Sequence, residues 1–161
     1  MGMTSKFRKL VLFGSHVAAI TVGFALGIYM LPILTAPESP SDDVVQSAAE
    51  TARFTGEFRR DLEDSDALHW GEGTLYVSRD AIAFEGNLAP GPDYRLYLSP
   101  SFVETEDDFE ALKSEMTEVG PVRTFENFMV AIPPDIDPAE FTAAIVWCES
   151  FGQFISAAAY Q

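Results

Sequence analysis

Cysteine and histidine are scarce in this chain of 161 residues, which has one cysteine, Cys148, and two histidines, His16 and His69. A single thiol allows no intrachain disulfide, and the lack of CxxC and CxxCH motifs excludes a thioredoxin-type dithiol and covalent c-type haem attachment. GxSxG, HExxH, GxGxxG and P-loop signatures are also missing, so the enzyme classes that depend on them have no support. No metal site is expected from so few histidines and cysteines.

Basic residues are also few, because ten Lys and Arg stand against 25 Asp and Glu. Three of the ten, Lys6, Arg8 and Lys9, lie near the N-terminus, and all 25 acidic residues follow residue 34. The part after residue 34 therefore has a formal charge of −18, from seven basic and 25 acidic residues. A negatively charged surface repels phosphate groups, so nucleic acid is not an expected partner. The same negative charge favours the solubility of the part after residue 34.

Residues 10–34 form a long apolar run without any acidic residue, Lys or Arg. About 20 apolar residues cross a bilayer as a helix, so this run predicts one transmembrane segment. Three basic residues in residues 1–9 precede the run, and acidic residues follow it. The positive-inside rule therefore predicts a cytoplasmic N-terminus and a C-terminal domain on the periplasmic or extracellular side of the cell membrane.

A cleaved signal peptide is the alternative interpretation of this run. Its apolar core is normally about 7–15 residues long and ends at a small-x-small site. The candidate site Leu34-Thr35-Ala36 lacks a small residue at its first position, and Pro37 follows it. The sequence therefore favours a retained signal-anchor.

Gly23 and Gly27 form a GxxxG motif within the apolar run. Small residues four apart let two membrane helices approach closely, so this face is a candidate homodimer contact. Glycine is also common in membrane helices without such a role, and the sequence leaves both interpretations open.

Two regions follow the apolar run. Residues 35–52 form an acidic linker rich in proline and serine, with a short helix that Ser41 would cap. Residues 53–161 have the length of one ordinary domain. Seven apolar or alternating segments predict strands, at residues 52–58, 73–78, 81–86, 94–99, 128–133, 141–148 and 153–160. Short strands separated by turn signals predict an all-β, antiparallel sandwich or barrel-like domain, with one short surface helix within residues 105–116.

Cys148 and His69 are the residues that could carry chemistry. Strand alternation puts Cys148 on the face opposite Trp147. A lone cysteine in a strand is commonly a small buried hydrophobe, although the polar residues after Cys148 indicate the rim of a sheet. Glu149 beside it would disfavour the thiolate. His69 is either a surface residue at the start of a strand, or a ligand or proton carrier. A Cys148–His69 nucleophile and base is the third option, which would make a hydrolase.

Four pieces of sequence occur in order between about Phe54 and Tyr160: FTGEF, the turn HWGEG, FEGNLAPGPDYRLYLS and IVWCESFGQFISAAAY. Together they resemble the DM13 domain, also called the electron-transfer DM13 family. The resemblance implies an all-β domain of secreted or surface proteins. It also implies electron transfer through the cysteine, either as a bare thiol or as a ligand to a prosthetic group such as haem.

By position the resemblance assigns that role to Cys148 and matches His69 to a family histidine. Trp147, Phe151 and Phe154 are expected to form an apolar surround for Cys148 and a cofactor. The leading hypothesis is a membrane-tethered redox module that meets a redox partner in the membrane, and not a stand-alone enzyme. The alternative is a binding or structural β-sandwich in which Cys148 is only packed in the core.

Overall fold

A computed structural model describes residues 4–161 of the chain. The chain begins with helix α1, Ser5–Thr35, in which no residue is buried. One 18-residue window of this helix has a mean hydropathy of 2.2, so α1 is long and apolar enough to cross a membrane, as a signal sequence also is. Its 31 residues correspond to about 46 Å of helix. Pro32 lies inside its last turns.

The segment after α1 lies against the β domain. It contains helix α2, Asp42–Ala49, whose Val45 is completely buried. Ser41 occupies the predicted N-cap position, but its side chain makes no capping hydrogen bond. Instead, the Asn127 side-chain amide donates to the Asp42 carboxylate over 2.8 Å and to the Pro40 carbonyl over 3.3 Å. These contacts attach the linker to the domain.

Eight antiparallel strands form two four-stranded sheets, which confirms the predicted all-β domain with an N-terminal helix. The strands are β1 Phe54–Phe58, β2 Gly71–Val77, β3 Ala81–Leu88, β4 Tyr94–Ser99, β5 Thr117–Val122, β6 Phe128–Ala131, β7 Ala143–Cys148 and β8 Gln153–Ala159. The first sheet has the order β1-β2-β3-β6 and the second β5-β4-β7-β8. Helix α3, Glu106–Leu112, is the predicted surface helix.

Strand β5 was not among the seven predicted from the sequence. Only Val119 and Val122 are buried in it, and Gly120 and Pro121 interrupt its pattern. Proline is tolerated on an edge strand, where its missing N–H faces away from the neighbouring strand. Because β5 is the edge of the second sheet, its composition resembles that of a loop.

The main hydrophobic core lies between the two sheets. Its centre includes a row of rings in which Phe84 lies 5.1 Å from Phe58 and 4.9 Å from Phe128, measured between ring centroids. Gly73 and Gly86 are paired across β2 and β3 beneath the Phe84 ring, and Gly73 has φ +149°. A side chain at either glycine would overlap backbone atoms of the neighbouring strand. The two glycines therefore make room for the aromatic row.

A second hydrophobic cluster lies on the outer face of the second sheet, beneath α3. Phe109 of α3 is fully buried and stacks on Trp147 with a centroid distance of 4.0 Å. Tyr97 contacts the edge of Phe109 at 5.3 Å. The Thr105 side chain caps α3 by accepting from the Asp108 backbone N–H. Strand β7 is therefore covered on both faces, and all six of its residues are buried.

Candidate functional site

Cys148 is the last residue of β7, at the end of the sandwich where β4 begins. It pairs with Tyr94 of β4 and with Gln153 of β8. The residue is 3% exposed and belongs to the main core, together with Val146. Alternation of side chains along β7 places it on the inner face, opposite Trp147, and the sequence had predicted that the two residues lie on opposite faces.

Burial raises the pKa of the Cys148 thiol above its ordinary value, and the Asp93 carboxylate adds to that effect. The backbone N–H groups of Phe151, Asp93 and Ser150 act in the opposite direction but do not outweigh burial. The sequence assigned the unfavourable carboxylate to Glu149, but the Glu149 side chain turns to the other face of the sheet, towards Lys113. Cys148 is therefore held as a protonated thiol near neutral pH.

A pocket of about 430 Å³ adjoins Cys148 and is partly open to the surface. Cys148, His69, Leu68, Tyr94 and Phe151 contribute to its wall from the β domain. The opposite wall is formed by α1, through Ala25, Ile28 and Tyr29. The structure thus brings both candidate residues, which are 79 positions apart in the sequence, to one cavity.

The loop that carries His69 is fixed by Asp66. One Asp66 carboxylate oxygen accepts from the backbone N–H groups of Leu68 over 2.6 Å and His69 over 2.8 Å. The same carboxylate lies 3.1 and 3.2 Å from His69 Nδ1. The backbone hydrogen bond from Leu68, with help from His69, lowers the pKa of Asp66. His69 is consequently oriented at the pocket wall, with its side chain 25% exposed.

Tyr94 forms the inner wall of the pocket beside Cys148. Its hydroxyl donates to the Ala89 carbonyl over 2.8 Å, and burial raises its pKa strongly. Gly91 lies against the Tyr94 ring so closely that a β-carbon there would overlap the ring. The Gly-Pro-Asp turn before β4 is therefore shaped around this tyrosine.

Trp147 and Phe154, which were expected to surround a cofactor, lie outside the pocket. Adjacent residues of a strand point to opposite faces, so Trp147 enters the outer cluster while Cys148 faces inward. Beside Trp147, Lys113 Nζ lies 2.8 and 2.9 Å from the Glu149 carboxylate, which also accepts from the Tyr97 hydroxyl. Burial alone would raise the pKa of Glu149, but Lys113 and Tyr97 lower it overall. The polar side chains of Lys113, Glu149 and Tyr97 therefore satisfy one another by hydrogen bonds.

The positions of Cys148 and His69 and the lining of the pocket test two hypotheses, a hydrolase and a haem-binding protein. No hydrogen bond joins Cys148 to His69 within residues 4–161, so the contact required of a nucleophile and its base is not formed. Haem iron is ligated by a Cys thiolate or a His nitrogen, and both Cys148 and His69 line the pocket. None of the described side chains that line the pocket is Lys or Arg, which would pair with the haem propionates. The pocket therefore has candidate iron ligands but no Lys or Arg for the propionates.

Sequence reasoning missed the residues that shape this pocket. Asp66 and Tyr94 were not proposed as site residues, although the Asp66 spacing to His69 and the Gly-Pro-Asp turn before Tyr94 were visible in the sequence. No sequence pattern indicated that Ile28 and Tyr29 line the pocket. An apolar run predicts a helix but does not indicate which of its residues contact another domain.

Comparison with known proteins yields one family. The model of the family described as "Electron transfer DM13" matches residues 57–160, which is more than half of the chain. No curated protein and no solved structure matches the chain. The matched region includes His69, Tyr94, Cys148 and Phe151, and all the strands from β2 to β8. The chain belongs to the electron-transfer DM13 family.

Proposed function

We propose that this protein is a membrane-tethered redox module in which Cys148 is the reactive residue. Helix α1 anchors it in the cell membrane with a cytoplasmic N-terminus, and the β domain lies on the periplasmic or extracellular side. Three basic residues lie in the first turns of α1 and 25 acidic residues follow the helix, and this split supports the orientation. Family membership supports the redox role.

The observation that carries the proposal is that the chain's one cysteine lines a pocket although its residue is 3% exposed. Burial keeps the thiol protonated, and a protonated thiol reacts slowly with disulfides and other oxidants outside the cytoplasm. The pocket gives a small reactant a route to the same sulfur. Such a thiol is selective, because access depends on the shape of the pocket.

A binding or structural module is the second candidate. Cys148 lies in the main core with Val146 and Tyr94, and its thiol pKa is raised. These are also properties of a cysteine that only packs as a small hydrophobe. The two candidates differ in whether the pocket makes the thiol reactive.

The full chain in lipid nanodiscs, treated with hydrogen peroxide, separates them. A reactive Cys148 thiol and peroxide give a sulfenic acid and water. Intact-mass analysis would show one added oxygen, and dithiothreitol would remove it. We expect this reversible change in the native chain and its loss in Cys148→Ala.

A matched thiol supplies the control. Ala144 lies on the same strand and the same inner face as Cys148, is fully buried, and does not line the pocket. In the double variant Cys148→Ala, Ala144→Cys, the thiol should be oxidised at least about tenfold more slowly than Cys148, because position 144 does not adjoin the pocket. Equal rates at both positions would support the packed-core alternative and overturn the redox role.

A further inference from the structure

We infer that the Cys148 pocket opens into the outer interface of the bilayer and takes an uncharged, lipid-soluble ligand from the membrane. This inference rests on the proposed tethering by α1 and specifies where the reactant of the proposed redox module comes from. It is carried by the position of the pocket on α1, by two exposed apolar side chains at its mouth, and by the composition of its wall.

The depth of the pocket follows from the length of α1. Lys6, Arg8 and Lys9 mark the inner end of the apolar helix, and about 20 residues cross the hydrocarbon core. Counting 20 residues from Leu10 ends at Tyr29, a residue type enriched at the membrane interface. Ala25, Ile28 and Tyr29 are the α1 residues that line the pocket. The pocket therefore lies at the boundary between acyl chains and headgroups.

Leu68 and Phe151 are exposed at the pocket mouth. They are 58% and 54% exposed, the highest values among the large apolar side chains described in residues 53–161. Both line the pocket next to α1, although they come from separate loops. Two such side chains beside a membrane helix are suited to insertion among lipid headgroups.

The linker keeps the domain in this orientation. In the last turns of α1, Ile28 and Pro32 are half-buried, and they lie four residues apart on one face of the helix. After the helix, Asn127 bonds Pro40 and Asp42, and Val45 of α2 is buried against the domain. The distance between the end of α1 and the domain is therefore short and fixed.

The wall of the pocket indicates an uncharged ligand. None of its described lining residues is Asp, Glu, Lys or Arg, and the polar groups are His69, Gln153, two tyrosines and the thiol. Pro32 has no N–H, so the carbonyl of Ile28, a residue that lines the pocket, lacks the donor that residue i+4 supplies in a regular helix. A neutral molecule with an apolar body and one or two polar atoms matches this wall.

Fluorescence quenching tests the position of the mouth without using the redox chemistry. The full chain with Cys148→Ala and Phe151→Cys is labelled at position 151 with an environment-sensitive fluorophore. It is placed in phosphatidylcholine nanodiscs whose acyl chains carry a nitroxide. We expect most of the fluorescence at position 151 to be quenched, because quenching requires contact with the acyl region.

The control label replaces Phe102, which is 39% exposed and follows β4 at the end of the sandwich opposite Cys148. This label should keep most of its fluorescence in the same nanodiscs. Equal quenching at positions 151 and 102, or none at 151, would overturn the inferred orientation. Since Cys148 is absent from both variants, this result does not depend on whether the thiol is redox-active.

Two maleimides test the route into the pocket. The native chain in phosphatidylcholine nanodiscs is treated with N-cyclohexylmaleimide, which dissolves in lipid, or with a sulfonated maleimide, which does not. We expect the lipid-soluble reagent to modify Cys148 at least tenfold faster, and Phe151→Asp to reduce its rate. A variant with Cys148→Ala and Phe102→Cys corrects for intrinsic reactivity. Equal corrected rates for the two reagents, or no modification by either, would overturn the inference.

Discussion

Both faces of strand β7 are buried, but their surroundings differ at the C-terminal end of the strand. On the outer face, Trp147 stacks on Phe109. The nearby Glu149 carboxylate is paired with Lys113 and also accepts a hydrogen bond from the Tyr97 hydroxyl. On the inner face, Cys148 ends the strand beside a pocket of about 430 Å³. The outer face is thus closed by packing and paired charge, whereas the inner face keeps a space next to a thiol. Trp147 and Cys148, which are adjacent in the sequence, therefore lie in different environments.

The largest effect is expected from Trp147→Ala, which would break the closed face. Removal of a fully buried tryptophan should lower the free energy of unfolding by about 3–5 kcal/mol, measured by chemical denaturation with circular dichroism. Phe151→Ala is the matched control at the open pocket, because Phe151 is 54% exposed and should cost less than about 0.5 kcal/mol. Similar costs would show that the two faces do not differ in this way.

A smaller effect is expected from Tyr94→Phe, which tests the wall of the open pocket. This change leaves the buried Ala89 carbonyl without its donor and should cost about 1–3 kcal/mol by the same measurement. Tyr160→Phe removes an equivalent hydrogen bond, to Pro138, away from the pocket. Both changes should lower stability, but only Tyr94→Phe should alter the rate at which Cys148 is alkylated. An equal change in that rate for both variants would argue against a local role of Tyr94.

The smallest effect is expected from Lys113→Met, which removes the cation of the closed face. Its ion pair is partly exposed, so the loss at neutral pH should be about 1 kcal/mol. Glu149 has a lowered pKa in the folded protein, so its contribution is present above the unfolded value of 4.5 and is lost as pH falls through the folded value. Lys113→Met should therefore flatten the decline of stability below pH 4.5.

A conservative variant serves as the control for this pH dependence. Lys113→Arg keeps the positive charge and should retain most of the acid sensitivity seen in the native chain. If Lys113→Met and the native chain lose stability in parallel as the pH falls, Lys113 is not the main cause of the lowered Glu149 pKa.

Much of the fold was predictable because it depends on local patterns. Alternation along β7 correctly placed Cys148 and Trp147 on opposite faces, since a strand has a period of two. Strand β5 was missed because Gly120 and Pro121 are tolerated at an edge but weaken the pattern. Local patterns therefore gave element type more reliably in the centre of a sheet than at its edge.

The site was less predictable because it depends on contacts between distant segments. Cys148 and His69 could be proposed from the resemblance, but their shared pocket is formed by loops and by α1. Glu149 was assigned to the thiol because it is next in sequence, whereas Asp93 is the carboxylate that acts on it. Sequence proximity does not decide electrostatic proximity when adjacent side chains point to opposite faces.

The hydrogen bonds from Asn127 to Pro40 and Asp42 have a consequence for how the domain can move. A flexible tether would let the domain explore a hemisphere above the membrane, with a radius set by the length of the linker. A linker held against the domain removes that freedom, so a domain anchored as proposed moves only as its helix moves. Its encounters with other membrane-anchored molecules then become collisions in the plane of the membrane, at a height that the length of its helix sets.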